Sequence, residues 1–114
     1  MSISYEEMGQ VVVTCKADEN VNEGCVVCMD ENDTVTACAA GKGVCGVALH
    51  VSGDGYAAVQ IKGMVSVACA SGVKPGLMKI TAQDGTSVKA AGEADEGRDV
   101  LVMNVKDSMA VICL

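Results

Sequence analysis

Two neighbouring stretches decide the fold: Val44-Cys-Gly-Val-Ala-Leu-His-Val51 and Tyr56-Ala-Ala-Val-Gln-Ile-Lys62, joined by Ser-Gly-Asp-Gly55. Both are short and rich in β-branched and small apolar residues, which is typical of strands. The glycines and the aspartate between them can adopt the positive φ angles that tight hairpins require. The pair therefore predicts a β-hairpin.

The same alternation of short apolar runs and polar turns continues along the whole chain. Further turns are indicated at Asn32-Asp33 and at Asp84-Gly85, and Gly85, like Gly55, is expected to have a positive φ because it follows Asp in a hairpin position. Almost no segment has a helical period. Short strands at this spacing indicate an all-β fold, either a compact small β-barrel or a β-sandwich. The predicted strands are Val11–Lys16, Cys25–Asp30, Val35–Cys38, Val44–Val51, Tyr56–Lys62, Met64–Ala68, Leu77–Thr81, Val88–Ala90, Val100–Lys106 and Met109–Leu114.

The sequence also carries an internal repeat, in which residues 21–61 align with residues 73–114 at an offset that changes from 52 to 53. One supersecondary unit used twice explains such an echo. We therefore expect an N-terminal arm over residues 1–10 and a single β domain over residues 11–114, built from two pseudo-repeated units. The aligned segments are Val21–Gly24 with Val73–Gly76, Thr34–Ala37 with Ser87–Ala90, Val47–Leu49 with Val100–Val102, and Ala57–Ile61 with Ala110–Leu114.

Composition argues against several classes of partner. The chain has 114 residues and a net charge of −7, and its only aromatic residues are Tyr5 and Tyr56, so the core is thin and assembly with other chains is plausible. Basic residues are scattered singly, which argues against nucleic-acid binding. The chain has no run of about 18 apolar residues, so the sequence predicts no membrane-spanning helix. The acidic, polar start lacks the features of a secretory signal, so we expect synthesis in a cytoplasm.

Seven cysteines invite two interpretations. Their odd number and the missing export signal predict reduced thiols that pack as small apolar side chains. Cys25-Val-Val-Cys28 has the spacing of zinc and redox sites, but a zinc site needs a second ligand pair, and Cys38 and Cys45 lie seven residues apart. A redox pair is favoured at a helix start, which is not predicted here. A small metal or redox module using Cys25 and Cys28 remains the alternative.

Other motifs are weak. Gly41-Lys-Gly-Val-Cys-Gly46 matches a dinucleotide fingerprint, but a strand follows it where that motif needs a helix. His50, the single histidine, has no local nucleophile motif and is expected at a surface or an interface. The acidic clusters lie in predicted turns and lack a calcium-site spacing. We therefore predict a protein that is not an enzyme, without catalytic, cofactor-binding or metal-binding residues.

The arrangement of strands, turns and glycines resembles the small capsid cement, or head decoration, proteins of tailed bacteriophages. The residues that carry the resemblance run over Val21–Gly41, Gly43–Leu49 and Tyr56–Val67. They follow that family's order of a Gly-ended turn, a strand, a polar turn, small residues, a Gly-Val-Ala-Leu strand and a final strand before a glycine. The second half departs from the pattern, because Arg98-Asp99 stands where a glycine precedes the corresponding strand.

The resemblance implies a non-enzymatic virion protein without a cofactor. Its partner would be the major capsid protein, bound on the outer surface of an expanded phage head, and it would act as a homotrimer. The final Ala110–Leu114 strand, which has no polar tail, is expected to be buried in the fold or against a neighbouring subunit.

Overall fold

The fold, taken from a computed structural model, is described for residues 9–114. It contains strands and turns but no helix in that range, which confirms the all-β prediction. Residues 1–8, with Tyr5 and most of the expected N-terminal arm, lie outside the described residues. The strands are β1 (Val11–Ala17), β2 (Val26–Glu31), β3 (Thr34–Ala37), β4 (Gly46–Val51), β5 (Tyr56–Lys62), β6 (Met64–Cys69), β7 (Gly76–Ala82), β8 (Ser87–Ala90), β9 (Arg98–Lys106) and β10 (Met109–Cys113).

The first five strands close into a barrel in the order β1-β3-β2-β4-β5, with β5 pairing back onto β1. Most neighbours are antiparallel, and the short β1–β3 contact is parallel. We call this sheet the first barrel. Closure leaves no unpaired strand edge along the sheet, which a short open sheet would expose.

The last five strands close into a second barrel in the cyclic order β6-β8-β7-β9-β10. Its one parallel contact, β6–β8, corresponds to β1–β3 of the first barrel. The two barrels span residues 11–62 and 64–113 and are joined through Gly63, whose φ is +93°. The same order of strands is therefore used twice.

The side chains form two buried clusters. One fills the first barrel with Val, Ala and Cys residues, among them Val27, Val35 and Val59. The other fills the second barrel and extends to Val26 and Val47, which lie on the outer side of the first barrel. Apolar burial therefore runs across the junction between the barrels.

Backbone hydrogen bonds also cross this junction. The loop between β3 and β4 pairs with the end of β7: Gly41 N–H donates to Ala82 O over 2.9 Å, and Ala82 N–H donates to Lys42 O over 3.1 Å. Val26 N–H donates to Gly85 O over 3.0 Å. This mutual satisfaction of buried backbone groups fixes one barrel against the other.

Turn geometry agrees with the sequence at two of the three quoted hairpins. Asp33 has a φ of +59° and Gly55 a φ of +90°, as tight turns require. The expectation of a positive φ at Gly85 is wrong, because Gly85 is not among the positive-φ glycines. Its small size serves contact instead: a Cβ there would lie 3.0 Å from the Cβ of Ala37 in the other barrel.

Pairing also shifts one alignment of the internal repeat. Val47 lies opposite Gln60 in β4–β5, and Leu101 lies opposite Cys113 in β9–β10. Val47 thus corresponds to Leu101 rather than to Val100, because ten residues lie between the end of β8 and Leu101 and only nine between the end of β3 and Val47. The C-terminal β10 lies within the fold, where Ile112 is fully buried.

Candidate functional site

The cysteines are arranged differently from the sequence expectation. Cys28 and Cys38 form a disulfide with their Cα atoms 5.4 Å apart, so the prediction that all thiols are reduced is wrong. The bridge arises because Cys28 lies on β2 and Cys38 directly follows β3, its hairpin partner. Cys25 is a buried free thiol, and the Cys25–Cys28 pair is not brought together as a disulfide.

A cavity of about 540 Å³ lies beside this disulfide. Both cysteines of the bridge line it; Cys28 is half-buried and Cys38 is buried. The free thiol of Cys45 lines the same cavity, so it holds three of the seven cysteines. Lys42 and Glu96 also line it and form an ion pair of 3.7 Å across the junction between the barrels. Their charges compensate each other, and the carboxyl of Asp30 lines the cavity as a third ionisable group.

The Gly41–Gly46 motif lies in the loop between β3 and β4 and on the first residue of β4. No helix follows it, as the sequence predicts. Gly41 has a φ of +81°, and a Cβ on Gly43 would meet Glu96 at 3.4 Å. The glycines therefore allow close approach of the second barrel.

Two further thiols are shielded. Burial raises the pKa of Cys15 and of Cys69, and the charge of Asp33 adds to the effect at Cys15. A raised pKa keeps a thiol protonated and therefore a poor nucleophile. Their surroundings favour a packing role.

Two groups of titratable surface residues remain: His50 with Glu23 lies apart from the cavity, whereas Asp30, which pairs with Asp18, also lines it. His50 is exposed, and its Nδ1 lies 3.1 Å from Oε1 of Glu23. A hydrogen bond with Asp18 and the negative charge of Asp18 raise the pKa of Asp30. Two acidic clusters that are separate in sequence therefore lie together. Neither arrangement places a nucleophile beside a base within residues 9–114.

Sequence reasoning missed Arg98, the single arginine of the chain. Its guanidinium donates to Val44 O and Cys45 O over 3.1 and 3.0 Å and to Ile61 O over 3.0 Å, all in or beside the first barrel. The only signal in the sequence was that Arg98 breaks the glycine pattern of the repeat. Several exposed apolar side chains were also missed, most of all Leu77, which is 84% exposed.

Comparison of the chain with family models, with curated proteins and with solved structures finds no significant match. Over residues 9–114, no three His, Cys, Asp or Glu side chains are gathered so that they could hold a metal ion. In the same range no helix is long and apolar enough to cross a bilayer. We therefore infer the function from the geometry of the barrels and of their surfaces.

Proposed function

We propose that this chain is a capsid cement protein, which binds the outer surface of an expanded phage head as a homotrimer and stabilises the shell. The observation that carries the proposal is where the residues of the resemblance lie. They cover β2, β3, β4 and β5, four of the five strands of the first barrel, and continue into β6. The resemblance therefore follows one folding unit rather than scattered segments.

The surface supports the same proposal. Large apolar side chains are exposed on both barrels, among them Met29, Tyr56, Leu77 and Met109. Apolar surface rimmed by polar residues is typical of sites that bind other proteins. A protein that binds only the intact shell shifts the equilibrium away from disassembly by mass action. The net charge of −7 favours solubility before docking.

The experiment mixes purified protein with expanded heads that lack it and follows the melting of the heads. We expect a higher melting temperature and saturable density on the outer surface, whereas unexpanded heads serve as the control and gain neither. Heads of unchanged stability at saturating protein, without added density, would remove the proposal. Truncation of residues 111–114 is not a useful variant, because Ile112 belongs to the core and β10 closes the second barrel.

The alternative, a metal or redox module using Cys25 and Cys28, is separated by thiol counting. The disulfide leaves five free cysteines, at positions 15, 25, 45, 69 and 113. Under the cement proposal, denatured protein titrates five thiols before reduction and seven after it, with no bound zinc by elemental analysis. Stoichiometric zinc, or a disulfide between Cys25 and Cys28 identified by peptide mapping, would favour the alternative.

A further inference from the structure

The cavity at the junction of the barrels holds both a disulfide and a free thiol. Cys28 and Cys38 form the bridge, Cys45 is a free, half-buried cysteine, and all three residues line this cavity. Glu96 lines it from the second barrel. A thiolate and a disulfide are the two reactants of thiol–disulfide exchange. The cavity therefore contains both reactants of this reaction.

Strand pairing brings Cys45 next to Cys28. Val27 lies opposite Gly46, and Val27 O accepts a hydrogen bond of 2.9 Å from the backbone N–H of Cys45. Cys28 and Cys45 are the residues that adjoin this pair on the two chain segments. Opposite residues of antiparallel strands have Cα atoms about 4.5–5.5 Å apart, and disulfides join Cα atoms about 4.4–6.8 Å apart. The sheet therefore permits a bridge between Cys28 and Cys45.

The sulfur atoms of the existing bridge lie against the loop that carries Cys45. Cys28 Sγ is 3.2 Å and Cys38 Sγ is 4.0 Å from the carbonyl oxygen of Gly43, which precedes Cys45 by two residues. Cys28 is half-buried, whereas Cys38 is 4% exposed. Access to the attacked sulfur helps to set the rate of exchange. Cys28 is therefore the sulfur of the bridge that is open to attack.

We propose that Cys28 has two alternative partners, and that thiol–disulfide exchange in this cavity moves its bridge from Cys38 to Cys45. Cys45 loses its proton to solvent, and its thiolate attacks Cys28 Sγ. The bond between Cys28 and Cys38 breaks as the bond between Cys28 and Cys45 forms, and the electron pair leaves with Cys38 Sγ, which takes up a proton. The numbers of disulfides and thiols are unchanged, so the reaction needs no oxidant or reductant.

The exchange would move the cross-link to the segment that holds the two barrels together. The carbonyl oxygens of Val44 and Cys45 accept hydrogen bonds of 3.1 and 3.0 Å from the guanidinium of Arg98 in the second barrel. Lys42 of the same loop forms the ion pair with Glu96. In the exchanged form β2 is tied to this loop instead of to the end of β3. The cavity is therefore a switch that decides whether the cross-link restrains the β2–β3 hairpin or the junction.

The first test follows the bridge in the wild type. Native protein is incubated without reductant, quenched with acid, blocked with N-ethylmaleimide and digested with trypsin. Trypsin cuts after lysine and releases residues 17–42, which contain Cys28 and Cys38, and residues 43–62, which contain Cys45. The original bridge lies within the first peptide, whereas the exchanged bridge links the two. We expect linked peptides to accumulate to a constant fraction while the number of free thiols stays at five.

Two variants and one dilution control this test. Cys45→Ser should give no linked peptides. Cys113→Ser is the matched control, because Cys113 is also a free, half-buried cysteine but does not line the cavity, and it should exchange like the wild type. Dilution of the protein should leave the rate unchanged, since both reactants belong to one chain. A second cut after Glu31 separates Cys28 from Cys38 and identifies the cysteine that is linked.

The second test removes the first partner of Cys28. The Cys38→Ala variant is reduced and then treated with a small symmetrical disulfide such as hydroxyethyl disulfide, which is itself reduced to two thiols as the protein bridge forms. We expect a bridge between Cys28 and Cys45 in this variant. Circular dichroism checks its fold, and the wild-type test does not depend on it.

Three results would overturn the proposal. One is a wild type whose linked peptides appear only after denaturation. Another is a new bridge between Cys38 and Cys45, because Cys28 would then not be the shared sulfur. The third is a bridge between Cys25 and Cys28 in the Cys38→Ala variant, which would favour the redox module of the Cys25–Cys28 pair. None of these readouts depends on binding to a capsid, so the cement function is tested separately.

Discussion

At the scale of single residues, small size matters where backbones approach closely. A Cβ on Gly46, the first residue of β4, would collide with the carbonyl oxygen of Gln60 and lie 2.8 Å from Cγ1 of Val59. Gly53 lies in the next turn, and a Cβ there would meet nothing within 4 Å. The two glycines therefore differ in what their missing side chain does.

Gly46→Ala should lower the free energy of unfolding by roughly 1–3 kcal/mol, since overpacking against backbone forces strands apart. Gly53→Ala, the matched control, should change it by no more than about 0.5 kcal/mol. Urea denaturation of both variants measures the difference. Equal stabilities would mean that β4 and β5 are not packed as described.

Asp84 is a residue whose charge is built into a turn. The backbone N–H and the hydroxyl of Thr86 donate to it over 2.8 Å each, and the Ser87 hydroxyl donates over 3.0 Å. These bonds hold the pKa of Asp84 below its usual range. A carboxyl with a lowered pKa in the folded state stabilises the fold above its unfolded pKa, and this contribution is lost as the pH falls through the folded value.

Asp84→Ala should therefore lower the melting temperature at pH 7, and its effect should shrink as the pH falls from the usual aspartate pKa of about 3.9 through the lower pKa of the folded state. Glu19→Ala, at an exposed carboxylate, is the control. Thermal melts of the three proteins across this pH range provide the measurement. An Asp84 effect that is independent of pH would show that the turn depends on shape rather than on charge.

At the scale of elements, the β2–β3 hairpin is closed by its disulfide as well as by its ladder. Cys28 and Cys38 are ten residues apart. In the chain-entropy account, a cross-link over such a loop restricts the unfolded chain and stabilises the fold by about 2–3 kcal/mol. Cys28 is therefore not the unpaired, packing thiol that the sequence predicts.

Reductant should lower the free energy of unfolding of the wild type by about 2–3 kcal/mol. The Cys28→Ala, Cys38→Ala double variant should resemble the reduced protein and should no longer respond to reductant. Denaturant titrations with and without reductant compare the two, with Cys25→Ala as a control that keeps the response. A wild type indifferent to reductant would contradict the bridge.

At the scale of the whole molecule, the two barrels are joined by polar bonds around an apolar contact. The guanidinium of Arg98 donates hydrogen bonds to three backbone carbonyl oxygens at the junction, those of Val44, Cys45 and Ile61. A guanidinium suits this task because its planar geometry directs several N–H groups at once. Its removal leaves partly buried carbonyl oxygens without donors.

Arg98→Met should destabilise the protein by about 2–3 kcal/mol, the range for hydrogen bonds to a charged group. Arg98→Lys should recover only part of the loss, because a single ammonium cannot reach all three oxygens. Lys106→Met, at an exposed position, serves as the control. Chemical denaturation distinguishes them; if Arg98→Met matched this control, the junction would not depend on the guanidinium.

The sequence by itself determined the local elements. The ten predicted strands lie within two residues of the observed ones at each end, because alternation, β-branching and turn residues act over a few neighbours. The Asn32-Asp33 and Gly53–Gly55 turns follow from the same local preferences. The same pattern predicted a strand, rather than a helix, after Gly46.

Only the tertiary structure decided how these elements meet. The disulfide partner of Cys28 depends on the β2–β3 register, and the three acceptors of Arg98 lie 54, 53 and 37 residues away in the chain. The burial of Val26 and Val47 and the exposure of Leu77 and Leu101 depend on how the two barrels pack against each other. Such contacts join segments distant in sequence, and their free energy comes from shared burial, so no local pattern of residues records them.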